Sequence, residues 1–210
     1  MNQQEEYIKA HSSPLSETLR WIERQTHLRS HYPRMLSGGD VGRLLETFSR
    51  MLAPRRILEL GSFTGYATLC LAAGLAPGGV IDTVEGNDEL EDILREAFSR
   101  SGMEGRINLI LGDALKVIPT LEGPYDLVYI DANKREYPEY LRLLRGKVPP
   151  GGYIIADNVL WDGKVWADGG ASDPQTRGLT AFNEAVAADE GLDNFILPLR
   201  DGLNIIRVKG

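Results

Sequence analysis

RRILELGSFTGY, residues 55–66, is the stretch whose reading decides the fold. Ile57, Leu58 and Leu60 form a short apolar run that Glu59 interrupts, and the run stops at Gly61. Gly65 ends the turn, after which Tyr66 to Ala73 suit a helix. A strand that passes through glycines into a helix leaves backbone N–H groups free, and the anionic end of a ligand can dock there. The spacing is Gly-x-x-x-Gly, which departs from the dinucleotide fingerprint Gly-x-Gly-x-x-Gly. A tight strand-to-helix turn without any ligand reads the same way, so these residues speak to fold class before they speak to function.

Working outward, strand signals recur at 55–60, 79–85, 106–111, 125–131 and 151–156, with helical stretches between them at 66–75, 88–101, 113–120 and 136–145. Short apolar strands separated by helices indicate an α/β fold whose parallel sheet is covered on both faces. After a loop at 158–174 and a helix near 175–189, apolar runs at 195–197 and 203–206 flank Arg200-Asp201-Gly202. Asp-Gly between apolar runs predicts a hairpin, and so an antiparallel last strand. Upstream, Ser13-Pro14 and Ser16-Glu17 can start a helix through Trp21-Ile22. Val41, Leu44, Leu45 and Phe48 repeat at helical spacing up to Pro54, and 31–39 reads as a connecting loop. With no repeat or linker, the expectation is one domain over 1–210: a helical segment at 1–53 and an α/β core at 54–210.

The 210 residues suffice for a buried core, and a net charge of −7 without a basic block gives no sign of nucleic-acid or membrane binding. The polar, acidic MNQQEEYIKA start argues against a secretory signal, and no apolar run approaches a bilayer span. The single cysteine, Cys70, has no partner for an internal disulfide, so a cytoplasmic setting is expected. His11, His27 and His31 lack cysteine partners, which argues against zinc.

In an open parallel sheet, ligands bind beyond the carboxyl ends of the strands. Those ends carry Glu59, Glu85, Asp113, Asp131 and Asp157-Asn158. Glu85, 24 residues past Gly61, stands where a carboxylate accepts from ribose hydroxyls, and Asp113 after Gly112 can accept from an adenine amino group. Asp131, Asp157 and Asn158 offer only oxygen donors, a set that suits a hard cation such as Mg²⁺. Lys134 follows Asp131 closely enough for its amine to reach the same pocket.

ELGSFTGYA, Val84-Glu85, GDA at 112–114, DANKREY at 131–137 and ADNVLWDG at 156–163 resemble the cation-dependent O-methyltransferases related to the caffeoyl-CoA and catechol enzymes. The likeness runs from about Met35 to PLRDGLNIIR near the end. It implies a Rossmann-like class I methyltransferase fold, a seven-stranded mostly parallel sheet with an antiparallel last strand and helices on both faces. It implies S-adenosylmethionine as cofactor, contacted by Met35, Ser37, Glu59, Gly61, Ser62, Gly65, Tyr66, Glu85, Gly112, Asp113, Ala114 and Asp131. It also implies a divalent cation (Mg²⁺ first, Mn²⁺ or Ca²⁺ otherwise) on Asp131, Asp157 and Asn158, with Lys134 and Asp131 as the catalytic pair. Asn133 stands where many relatives have Asp.

The expected substrate is a small vicinal-dihydroxy aromatic, with a free catechol, a flavonoid-like diphenol and a CoA ester all open. A phenol with pKa near 10 needs acidifying, which a chelating dication supplies, and a lysine beside that charge is disposed to act as a base. Trp161, Trp166, Gly163, Gly169 and Gly170 suggest a loop that closes over a flat substrate. A homodimer is expected, partly to cover Tyr7, Ile8, Trp21 and Ile22. The competing readings are a tRNA hydroxyuridine O-methyltransferase of the same family and a non-catalytic nucleotide-binding module. An NAD-dependent dehydrogenase lacks its glycine fingerprint here and leaves the convergence of Asp131, Asp157 and Asn158 unexplained.

Overall fold

The computed structural model describes residues 3–167 and 173–210. Its centre is a seven-stranded sheet made of β1 (Arg56–Leu60), β2 (Val80–Glu85), β3 (Ile107–Leu111), β4 (Leu127–Ile130), β5 (Tyr153–Asp157), β6 (Leu192–Leu197) and β7 (Leu203–Val208). The strand order is β3-β2-β1-β4-β5-β7-β6. The first five strands run parallel, and β7 is antiparallel to both β5 and β6, as the Asp-Gly signal requires. Order reverses between β1 and β4, whose last residues, Leu60 and Ile130, are register partners.

The helices are α1 (Gln3–His11), α2 (Glu17–Arg29), α3 (Gly38–Leu52), α4 (Tyr66–Ala72), α5 (Glu91–Ser101), α6 (Ala114–Val117), α7 (Tyr137–Leu144) and α8 (Pro174–Ala188). Strand alternation sends Ile57 and Tyr129 to the face covered by residues of α2 to α5, and Leu58, Leu60 and Val128 to the face covered by α7 and α8. Ser16 caps α2 through the backbone N–H of Leu19 at 3.2 Å, as the Ser-Glu signal suggests. Thr26 of α2 meets Thr64 of the glycine turn, hydroxyl to hydroxyl, at 2.8 Å, so the N-terminal segment is fastened to the turn.

Several boundaries differ from expectation, each for a local reason. The 31–39 stretch is not all loop: Pro33–Met35 forms a 3-10 turn, and Gly38 and Gly39 already belong to α3. β4 starts later than 125 because Tyr125 turns inward to donate to Asp82 at 2.7 Å. Its neighbour Asp126 accepts the backbone N–H groups of Arg55 and Arg56. The helix after Asp113 is α6 alone, with a 3-10 turn at Ile118–Thr120 that contains Pro119. Ile22 is fully buried and Trp21 half-buried within this domain, with the Arg100 guanidinium 4.5 Å from the Trp21 ring centre. They need no partner subunit for cover, whereas Tyr7 and Ile8 are exposed. Gly169 and Gly170 lie outside the described residues. Among the described residues, no helix is long and apolar enough to cross a membrane.

Alternation also decides the fate of Glu59. Sharing the parity of Ile57, it points into the core under α4 and is 0% exposed. Its Oε2 accepts from the hydroxyls of Thr68 in α4 and Thr83 in β2, both at 2.5 Å, while Oε1 has no hydrogen-bond partner. Burial, opposed by those two hydroxyls and reinforced by the charges of Asp131 and Glu85, pushes its pKa up from 4.5 to about 8. The folded chain therefore keeps a proton that the unfolded chain has released, so stability falls as pH rises between those two values. Between pH 6 and 8 the loss should be about 2 kcal/mol. Denaturant unfolding of the apo-protein across that range should show the slope in wild type, and Glu59→Gln should flatten it. An equal slope in the variant would contradict the burial account.

Candidate active site

Two cavities adjoin at the carboxyl ends of the strands. The larger, about 760 Å³, extends from Gly61 past Glu85 to Gly112-Asp113-Ala114 and is roofed by His31, Tyr32 and Met35. The smaller, about 570 Å³, holds Ser37, Asp157, Asn158, Trp161 and Gln175. Met35 and the stretch from Asp131 to Lys134 line both. The two cavities therefore share a wall at Asp131 to Lys134.

In the larger cavity, both oxygens of Glu85 face backbone donors, the N–H of Phe63 at 2.7 Å and of Asn87 at 2.9 Å. Burial raises its pKa, and these N–H groups oppose the rise. Each oxygen keeps a lone pair for a further donor. Asp113 caps α6 through the Leu115 N–H at 3.0 Å while it lines the cavity, so its capping and binding readings are compatible. Gly61, at φ +94°, lies so close to the end of β4 that an added Cβ would collide with the carbonyl oxygen of Asp131.

Four residues expected to touch a cofactor are not on either cavity wall. Glu59 is buried against Thr68 and Thr83, and Ser62 is buried with its hydroxyl 2.5 Å from that of Thr83. Gly65 starts α4 in the left-handed region at φ +84°, where an added Cβ would crowd Phe98. Tyr66 is a core residue at 2% exposure. They shape the turn from beneath. Met35, Gly61, Glu85, Gly112, Asp113, Ala114 and Asp131 do line the larger cavity.

The junction is built by a tight turn after β4. Asn133 caps the 3-10 turn Lys134–Glu136 and also donates to Glu136 at 2.7 Å. This turn carries Lys134 back over Asp131, Nζ to Oδ1 at 2.6 Å, with both side chains largely buried. Gly178 lets α8 lie against the same turn, since a Cβ there would collide with the Lys134 carbonyl. Asp157, 5% exposed, accepts from the Tyr129 hydroxyl at 2.7 Å and from the Asn158 N–H at 2.6 Å. Burial first, and the charge of Asp131 second, push its pKa up to about 6; the Tyr129 hydroxyl, the Asn158 N–H and Lys134 pull it down. Tyr137 donates to the backbone carbonyl of Asp157 at 3.0 Å. Asn158 takes the left-handed conformation at φ 60°, which asparagine tolerates better than most residues.

Tyr129 and Tyr137 escaped the sequence reading. Tyr129 was accessible to it, because it shares parity with Asp131 in a strand end whose neighbour carries Asp157. In the tryptophan loop, Trp161 packs partly on the core and lines the smaller cavity, while Trp166 is 68% exposed and lines neither. Among the described residues no cluster of three or more His, Cys, Asp or Glu side chains forms a metal site. Two carboxylates with one amide fall below that number.

Known proteins resemble this chain in sequence and fold. The family model described as O-methyltransferase matches residues 9–209. A catechol O-methyltransferase of Niastella koreensis is 31% identical over 186 residues, 84% of each chain. Caffeoyl-CoA O-methyltransferase 2 of Populus trichocarpa is 30% identical over 82% of this chain and 74% of its own. The structure of the O-methyltransferase TomG of Streptomyces achromogenes, involved in tomaymycin synthesis and solved with SAM, superposes with a TM-score of 0.92 at 28% identity over the whole of both chains. This chain belongs to the O-methyltransferase family.

Proposed function

We propose that the chain methylates one hydroxyl of a small vicinal-dihydroxy aromatic, a free catechol or a CoA ester, using S-adenosylmethionine and a divalent cation. The observation that carries this reading is the meeting of the two cavities along Asp131 and Lys134. The larger suits adenosine, with Glu85 free to accept from ribose hydroxyls and Asp113 from the adenine amino group. Met35 lines both spaces at the junction. Bound there, S-adenosylmethionine supplies an electrophilic methyl group, and in-line transfer needs the acceptor oxygen at about 3 Å from it.

The side chains at the junction fit a cation. Burial and the charge of Asp131 raise the cost of ionising Asp157, the situation a dication relieves. No hydrogen bond among the described residues occupies the Asn158 side chain, whose amide oxygen completes an all-oxygen donor set. Bound by these three residues, the cation would acidify a chelated diphenol. Lys134 Nζ, set against Asp131, would accept the hydroxyl proton after releasing one of its own to solvent.

Three experiments check this. Wild type should transfer labelled methyl groups to vicinal diphenols and not to monophenols or bulk tRNA. Exhaustive chelation should stop transfer yet leave calorimetric binding of S-adenosylhomocysteine nearly unchanged, because Glu85 and Asp113 are not among the proposed cation ligands. Transfer that survives chelation would refute the cation's role. Lys134→Ala should lower kcat by about 10²-fold, the lower end of general-base contributions, and flatten the rise of kcat/KM between pH 6 and 9. An unchanged rate and profile would reduce Lys134 to the counter-charge of Asp131.

A further inference from the structure

The smaller cavity holds two arginines that methyl transfer itself does not require. Arg34 is exposed in the turn before α3, Arg200 lies in the loop between β6 and β7, and both line this cavity with Asp157 and Lys134. Arg200 donates from Nη1 to the carbonyl oxygens of Leu36 and Ser37, so its guanidinium shares a wall with Arg34. Gly38, at φ +75°, makes room for this approach, since a Cβ there would stand 2.7 Å from Arg200 Nη1. The hairpin itself is fixed by the N–H of Leu199 on Leu197 and of Gly202 on Leu199, at 2.8 and 2.9 Å.

The charges on this wall are unevenly matched. Lys134 is held by Asp131 at 2.6 Å. Asp201 gives one oxygen to the N–H of Asp162 at 2.5 Å. Among the described residues neither Arg34 nor Arg200 has an acidic partner, and Nε and Nη2 of Arg200 make no hydrogen bond. In a chain of net charge −7, two guanidiniums without acidic partners thus line the acceptor space. The planar guanidinium fork matches carboxylate and phosphate oxygens in pairs, a geometry that a backbone staple alone does not need.

We infer that the acceptor carries an anionic group in addition to its two hydroxyls, and that Arg34 and Arg200 bind that group. This rests on the diphenol reading above and narrows it. The anion is a carboxylate on the ring or its side chain, or the phosphates of a CoA-type ester.

The test compares catechol, 3,4-dihydroxybenzoate, 3,4-dihydroxyphenethylamine and a dihydroxycinnamoyl-CoA, each by turnover and by calorimetric binding in the presence of S-adenosylhomocysteine. Wild type should favour an anionic acceptor over the amine by about ten- to a hundred-fold in kcat/KM, and likewise in affinity, the range of charge-assisted hydrogen bonds. Arg34→Gln removes a side chain that bonds nothing among the described residues, so it should fold normally. It and Arg200→Gln should each shrink the preference, through KM more than kcat. Dependence on the free acid identifies a carboxylate, and dependence on the CoA ester alone identifies phosphate; either supports the inference. A wild type that favours the amine or neutral catechol, or arginine variants that weaken all four acceptors equally, would overturn it. Failure of wild type to methylate any of the four would instead count against the diphenol reading, with the binding titrations still reporting on the anion preference.

Discussion

Everything at this site depends on how closely the end of β1 approaches the end of β4. Asp131 donates its backbone N–H to Leu60 at 2.8 Å, and Gly61 donates its own to Val84 at 2.9 Å. Gly61 thus sits between β2 and β4 with no room for a side chain, at a backbone angle other residues rarely adopt. This is the point where strand order reverses, the usual place for a crevice in an open α/β sheet. Because the approach is so close, the wall of the larger cavity and the first residue of the smaller one are neighbours. Methyl transfer requires that adjacency, and a bulkier turn would separate the two spaces.

The second constraint is electrostatic. The same strand ends concentrate acids in places poor in water, and each is handled differently. Glu59 faces inward and is held by two threonine hydroxyls, in a setting that favours its proton at neutral pH. Glu85 faces the cavity and is supported by backbone N–H groups. Asp157 is supported by Tyr129 and by the next backbone N–H, yet still feels the charge of Asp131. Asp131 beside it is paired with Lys134. A rim of acids in sequence therefore becomes several distinct environments in space, Asp113 adding a helix cap on the cavity wall.

Much of this was legible in the chain. Apolar runs separated by helices indicated the parallel sheet, Asp201-Gly202 the reversed last strand, and Gly61 with Glu85 one wall of the larger cavity. Glu59 was the instructive exception. Its place before a glycine suggested the rim, but strand parity with Ile57 turns it into the core. Ser62 within the turn and Tyr66 just after it likewise support it from below. The arginine wall could not be read, because Arg200 meets Leu36 and Ser37 across more than 160 residues. No local pattern encodes such a contact; it exists only once β7 has inserted between β5 and β6.

The central claim is that one ligand reaches the other at Asp131 and Lys134. The most direct measurement is a crystal structure with S-adenosylhomocysteine and a vicinal diphenol bound together. The account requires the adenosine to lie along Glu85 and Asp113, the sulfur to sit beside Asp131, and a diphenol hydroxyl to lie within hydrogen-bond reach of Lys134 Nζ. A cofactor outside the larger cavity, or a diphenol bound away from Asp131 and Lys134, would contradict it.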